Sequence, residues 1–340
     1  MMRARRARER GIALAGRARA RSSGFPTIRG AMIMQRTGQA SIAAAAAALT
    51  LIAGCGGDDG AGSGTVQIFV EPEDTIPEGL EPGTGEENIA DGWKVTYDRF
   101  LVTIGNVRAA RSDAQETLSD PSVFVLDLKN APATRYVIAE FEGVSAVRWD
   151  RFGFDLPNAR EGAKTLAPTT EDDVAFMVEN GYSVFFEGSI EKEDGESCPP
   201  SGECVPAKEV RFGWGLSAGT SFDDCATEDE LPGFSVPTGG AIAVKPTIHG
   251  DHWFFNNITA GVELTKRYAQ YIADCDLDGD GETTIEELKE VKVADVFGQE
   301  YNLAGALGEI ETAYDYVVAQ ARTLGDFQGD GECPRRALLP

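Results

Sequence analysis

Between Thr65 and about His249 the chain repeats one pattern: short runs rich in Val, Ile, Phe, Tyr and Thr, each closed by a cluster of Gly, Pro, Asp or Asn. The runs are TVQIFV, WKVTYDRFLVTIGNV, SVFVLDL, TRYVIAEF, AVRWDRFGFDL, YSVFFEGSIE, EVRFGWGLS and AIAVKPTIH. β-Branched and aromatic side chains fit a pleated, half-buried surface, and the residues between them favour tight turns. Several runs alternate, as Val184, Phe186 and Gly188 do against Phe185 and Glu187, the period of a strand with one buried face. The series predicts a mainly β fold, an antiparallel β-sandwich over residues 65–258. One helix interrupts it: TTEDDVAFMVENG has a Thr cap, acids in its first turn and Gly181 as a stop. The acidic stretch EPEDTIPEGLEPGTGEENIADG, after the first run, lacks an apolar face and reads as a surface loop.

From about Thr259 the period changes. GVELTKRYAQYIAD, the stretch Ile285 to Phe297, and NLAGALGEIETAYDYVVAQARTL each show helical spacing, the last with Leu303, Leu307, Ile310, Tyr314, Val317 and Val318 in one stripe. Residues 259–340 therefore read as a small α-helical module.

The front of the chain is of another kind. Residues 1–54 hold ten Arg against one Glu. Arg36, the apolar run Ile42 to Ile52 and the small residues after it have the order of a signal peptide, with a run too short to span a bilayer as a mature helix. Met32 or Met34 is the more natural start. Leu51-Ile52-Ala53-Gly54-Cys55 resembles the lipobox of bacterial lipoproteins, a resemblance that implies cleavage before Cys55 and a diacylglycerol thioether on it. Lipid there would hold the protein on a membrane without a spanning helix. Residues 55–64 read as a flexible tether, and Gly56, where inner-membrane lipoproteins carry Asp, points to the outer membrane of a Gram-negative bacterium.

Beyond residue 54 the chain has 21 basic and 54 acidic side chains, a formal −33. Such a surface repels nucleic acid and suits an exported protein that meets divalent cations. Export makes disulfides the default for Cys198, Cys204, Cys225, Cys275 and Cys333. Cys198 and Cys204 close the Pro/Gly turn CPPSGEC within bridging reach. The other pairings stay open, one being a bridge between Cys275 and Cys333.

The stretch DLDGDGETTIEE resembles an EF-hand loop between two helical patterns. Asp276, Asp278 and Asp280 occupy positions one, three and five. Gly281 makes the sharp turn at six, Glu282 offers its carbonyl at seven, Thr284 takes nine, and Glu287 closes the loop at twelve. Calcium, a hard cation wanting about seven oxygens, needs this spacing. Thr283 stands at position eight, normally Ile or Val. DFQGDGEC repeats the start of the pattern with Asp326, Asp330 and Gly331, but Gln328 replaces an acid and Ala337 the final Glu, so it reads as a degenerate second hand.

His249 and His252, the two histidines of the chain, flank Asp251 in IHGDHWFF. Imidazoles with a carboxylate suit copper or zinc. On a straight strand residues three apart face opposite sides, so a turn at Gly250 would be needed; the plainer reading is a strand-end turn with exposed histidines. Ser217 in GLSAG matches the G-x-S-x-G of hydrolases without the strand–turn–helix context that motif requires. No phosphate loop or dinucleotide fingerprint occurs, and the Asn257-Ile258-Thr259 sequon has no expected meaning in a bacterial lipoprotein.

The order FLVTIGNV, VFVLDL, GV-AVRW-RFGFDLP, NGYSVFFEG and RFGWGLSAG…C is similar to that of the methanobactin-associated and copper-repressible surface lipoproteins, over about 180 residues. That family's fold is a β-sandwich, some members bind copper, and it works beside a di-haem enzyme. Asn158-Ala159-Arg160 stands where the family has an Asn-His stretch after FDLP, so the resemblance carries over the sandwich and not the metal. The expectation is an exported, lipid-anchored calcium-binding protein of the cell surface, not an enzyme, with an unknown protein or small-molecule ligand for the β domain. A copper-binding protein is the alternative, and a serine hydrolase ranks last.

Overall fold

Lys94–Ala110 is the strand on which the architecture turns. The computed structural model describes residues 62–258 and 265–338. The lipobox with Cys55, the start of the tether and most of GVELTKRYAQYIAD's first half lie outside the described residues. One edge of Lys94–Ala110 carries Thr117–Asp127. Its other edge passes from Val184–Glu191, paired with residues 94–102, to Arg151–Leu156, paired with residues 105–110. The change of partner falls at a bulge where Asn106 adopts φ 50°, and the Asn106 amide donates to Asp155 Oδ2 at 3.0 Å. Asn tolerates the left-handed region because its short polar side chain bonds locally.

Around that strand runs a nine-stranded sheet, ordered Glu282–Thr283, Glu209–Leu216, Val184–Glu191, Lys94–Ala110, Arg151–Leu156, Thr220–Phe222 and Arg335–Ala337, with Thr117–Asp127 and Lys164–Thr165 branching from it. A five-stranded sheet has the order Ala241–Val244, Ser63–Pro72, Pro246–Ile248, Gly325–Phe327, with Tyr136–Ser145 also on Ser63–Pro72. The fold is mainly β, as the runs predict. The sheets are mixed, however, where the expectation was purely antiparallel. Ser63–Pro72 runs parallel to Ala241–Val244 and to Pro246–Ile248, and Glu282–Thr283 runs parallel to Arg211–Phe212. Hydrophobic alternation marks faces and carries no information on direction, and parallel pairing arises through long connections that a local pattern does not show.

The predicted helix in the β region is Glu171–Asn180. Thr170 and Asp173 form a capping box at its start, and Gly181 ends it at φ 64°. The later helices are shorter than their periodicity suggests. NLAGALGEIETAYDYVVAQARTL yields only Ala313–Ala321, because Thr312 caps it with Asp315, while Gly305 and Gly308 upstream take φ 89° and 141°. Leu303, Leu307 and Ile310 thus lie before the helix. The Ile285–Phe297 pattern splits into Ile285–Glu290 and Val293–Val296 around an extended Val291, and before it Gln270–Asp274 forms one short helix. No helix among the described residues is long and apolar enough to cross a membrane.

Both sheets share one continuous buried cluster, which also takes in Trp253, Tyr271, Leu288 and Tyr316. Its centre is aromatic: Phe186 stacks on Trp253 at 3.9 Å, and Tyr97 meets Phe100, Phe186 and Phe212 edge-on. The Tyr97 hydroxyl, wholly buried, accepts from the Trp253 indole and donates to the Gly250 carbonyl. Cys198 is bonded to Cys204, and Cys225 to Cys333. Cys275 is free and buried, so the Cys275–Cys333 pairing does not form. Disulfide usage of this kind is that of a protein matured outside a reducing cytosol.

Candidate metal centres

Two places gather ligand-type side chains, and the chain builds them differently. The first is local. Gln270–Asp274 leads into the loop and Ile285–Glu290 leaves it, with Gly279 and Gly281 at φ 74° and 85° in the turn. Asp276 is buried, its two carboxylate oxygens accepting from the backbone N–H of Gly279 at 2.8 Å and Gly281 at 3.0 Å. Glu287 reaches back to accept from Leu277 N at 2.8 Å, and its other oxygen accepts from the N–H and hydroxyl of Thr284, both at 2.8 Å. Carboxylate oxygens of Asp276, Asp278 and Glu287 can lie within 4.8 Å of one another. Asp280 stays exposed and accepts from Glu282 N at 2.9 Å, while Thr284 caps the following helix. Burial raises the Asp276 carboxyl above its usual range, against the pull of the two loop N–H groups.

Position eight explains itself in this setting. The Thr283 hydroxyl donates to Ile272 O at 2.6 Å, which ties the loop to its entering helix. Its backbone joins Glu209–Leu216 in the nine-stranded sheet, and its carbonyl accepts from the Trp214 indole at 2.7 Å. A sheet strand stands where a partner hand would.

DFQGDGEC is not a second hand. Gly325–Phe327 is a strand antiparallel to Pro246–Ile248, and Phe327 bridges to Gly331 across a tight turn. The pattern similarity is confined to turn chemistry, since among the described residues no helix flanks the segment on its C-terminal side, where Cys333 is drawn to Cys225. Asp326 and Asp330 face another residue instead: His249.

That is the second centre. Pro246–Ile248 ends at His249; Gly250, held by Tyr97, turns the chain into the short 3₁₀ segment His252–Phe254. Tyr271 at 3.1 Å and Tyr316 at 2.9 Å bond the Trp253 carbonyl, and Gln320 donates to Phe255 O and Asn257 O at 3.1 Å each, so the turn is fixed on three sides. The two imidazoles are consequently brought together, with ring centres 4.9 Å apart. The expectation of exposed histidines is corrected: His249 is 4% and His252 8% exposed. His249 Nδ1 lies 3.1 Å from Glu73 and 3.9 Å from Asp251, and Nε2 lies 3.1 Å from Asp326 and 4.0 Å from Asp330. His252 Nδ1 is 2.7 Å from Thr323 Oγ1.

The charges shape each ring's state. Burial alone would lower His249, but Asp326 and Glu73 outweigh it and hold the imidazole well above its ordinary value. Burial, with the charges of His249, Arg267 and Arg335, drives His252 well below. Asp251, fully buried, is lifted to about 6 by burial and by Glu73, against the opposing pull of Arg267, which pairs with its Oδ2. Asp251 is therefore turned toward Arg267, and Asp326 takes the place beside the histidines that the sequence reading gave to Asp251. Sequence reasoning missed Glu73 and Thr323, which carry no motif and meet the histidines only through sheet pairing and the end of Ala313–Ala321. The cavity at this place measures about 230 Å³.

The Ser217 hydroxyl, near the strand end, donates to Gly181 O at 2.8 Å. His249 is engaged by the carboxylates described above, and His252 by Thr323.

The fold and its two clusters of cation ligands thus define a mainly β protein with candidate metal centres. No protein-family model and no curated protein matches the chain. Among solved structures, MbnP from Methylosinus trichosporium is similar at a TM-score of 0.29 and 8% identity, covering 62% of this chain and 85% of that one, a likeness too slight to carry an inference about function.

Proposed function

We propose that this chain is an exported, lipid-anchored calcium-binding protein with a structural or binding role at the cell surface rather than a catalytic one. The observation that carries the reading is the convergence of Asp276, Asp278 and Glu287 within 4.8 Å, in a loop whose twelve positions follow calcium spacing. Asp280, the Glu282 carbonyl and Thr284 are the further oxygens that would complete a shell of about seven. The loop is fastened to the nine-stranded sheet through Thr283, so a bound ion would join sheet and C-terminal helices as a staple. Extracellular calcium is high enough to keep even weak hands, with Kd of about 10⁻⁴ to 10⁻³ M, filled. A staple fits that setting better than a sensor does. Anchorage rests on the lipobox at Cys55.

The test is calorimetric titration of the full chain with calcium. One site is expected, weakened at least tenfold by Glu287→Gln, which removes one charge and the bidentate geometry. No binding in the wild type, or binding unchanged in the variant, rejects the reading.

A further inference from the structure

We propose that His249, His252 and Asp326 form a site for a divalent transition-metal cation of the zinc class, with Thr323 and Glu73 fixing the two imidazoles. This goes beyond the calcium reading and stands without it, since no residue is shared between the two centres.

The donor atoms come first. One ring nitrogen from each histidine and one Asp326 oxygen can all lie within 4.8 Å of one another. His249 Nε2 is buried without a hydrogen-bond partner among the described residues, and Asp326 Oδ2 stands 3.1 Å away as its ion-pair neighbour. Donors around a tetrahedral cation with bonds of about 2.0–2.1 Å stand roughly 3.3 Å apart. The pair thus has the separation of two ligands on one ion.

Proton placement then decides which nitrogens are available. The Thr323 hydroxyl has one proton and donates it to Gln320 O at 2.7 Å. At 2.7 Å from His252 Nδ1 it must accept, so Nδ1 keeps its hydrogen and the lone pair is on Nε2. Glu73 pairs with His249 Nδ1 at 3.1 Å, so a proton kept on Nδ1 would leave Nε2 of that ring for a ligand once a cation displaces its own proton. An outer partner of this kind, carboxylate or oxygen, is what orients metal-binding histidines and sets their tautomer.

Charge and softness select the ligand class. Glu73, Asp326, Asp330 and Glu332 outnumber Arg335 here, and Arg267 is committed to Asp251, so the cavity favours a cation. Two imidazoles with one carboxylate suit zinc, copper or nickel, whereas calcium takes oxygens alone. The set leaves a fourth position for water or for Asp330, whose Oδ1 is 4.0 Å from His249 Nε2.

Zinc titration of the full chain in excess calcium tests this, with metal uptake read by calorimetry and the coordination by the visible spectrum of the cobalt form. One equivalent of zinc is expected, and a cobalt spectrum of four-coordinate intensity. His249→Gln and His252→Gln should each weaken binding at least a hundredfold. Thr323→Val, which removes no ligand, should weaken it by roughly 10- to 100-fold, and Glu287→Gln should leave it unchanged. If either histidine variant fails to fold by circular dichroism, Asp326→Asn and Thr323→Val decide the matter. No uptake by the wild type would make the cluster an imidazolium held between carboxylates, and uptake that the histidine, Asp326 and Thr323 variants all retain would put the ion on surface acids; either result overturns the proposal.

Discussion

The indole N–H of Trp214 donates to the backbone carbonyl of Thr283 at 2.7 Å, joining a central sheet residue to the middle of the acidic loop. Trp214 is wholly buried, and its ring packs edge-on against Phe186. An ion held by the loop, as proposed, would change the polarity felt at that hydrogen bond. Calcium is therefore expected to shift the intrinsic tryptophan emission of the protein. Trp214→Phe should remove the calcium-dependent part of the signal while leaving calorimetric binding within about threefold; an unaltered signal would show that Trp93, Trp149 or Trp253 is the reporter.

The two disulfides differ in span. Cys198 and Cys204 are 6 residues apart, Cys225 and Cys333 108. In the chain-entropy account the stabilisation grows with 1.5R ln n, so the longer loop should contribute about 2.5 kcal/mol more. Urea unfolding of Cys198→Ser/Cys204→Ser and Cys225→Ser/Cys333→Ser variants measures the difference. Equal losses would point to strain or residual unfolded structure overriding the loop term.

Asp173 titrates in a way that couples a helix end to acid stability. Burial would raise its carboxyl, but the hydroxyl and N–H of Thr170 and the charge of Arg99 outweigh it and hold the group below its usual range. A depressed folded value means the contribution is present above the unfolded value, about 3.9, and is lost as the pH falls through the folded one. Asp173→Asn is expected to cost about 1 kcal/mol at neutral pH, the ordinary worth of a cap, with the gap to wild type closing below about pH 4. A gap independent of pH would mean that charge plays no part.

Intact-mass measurement of the protein as isolated from cells checks the proposed anchor. A chain beginning at an acylated Cys55 is expected, and Cys55→Ser should release the protein from the membrane fraction. An unmodified chain starting elsewhere is inconsistent with lipid attachment.

Local features of the fold are legible in the residues, and distant ones are not. The eight apolar runs are strands, Thr170 and Gly181 bracket a helix, and the glycine and acid spacing of residues 276–287 is a turn between helices. Each depends on neighbours within a dozen positions. The stripe over Leu303 to Val318 misled because periodicity persists where Gly305 and Gly308 leave the helical region. Asp326 and Asp330 misled in the opposite sense: their spacing copies a calcium loop, while the Pro246–Ile248 pairing turns them toward His249. Nothing near Glu73 in sequence signals that it meets an imidazole 176 positions later, because that contact is made by parallel pairing of Ser63–Pro72 with Pro246–Ile248.

Ser63–Pro72 is also the strand whose neighbours come latest. Gln67 meets Glu140 across 73 residues on one side, and Glu71 meets Lys245 across 174 on the other. During synthesis this strand is among the earliest parts of the described fold to emerge, yet it stands with both edges open until its partners follow. Contacts of such separation make folding slow, and unpaired edges invite association with other chains. The long-range pairing that sets Glu73 beside His249 is thus also what leaves this strand longest without a partner.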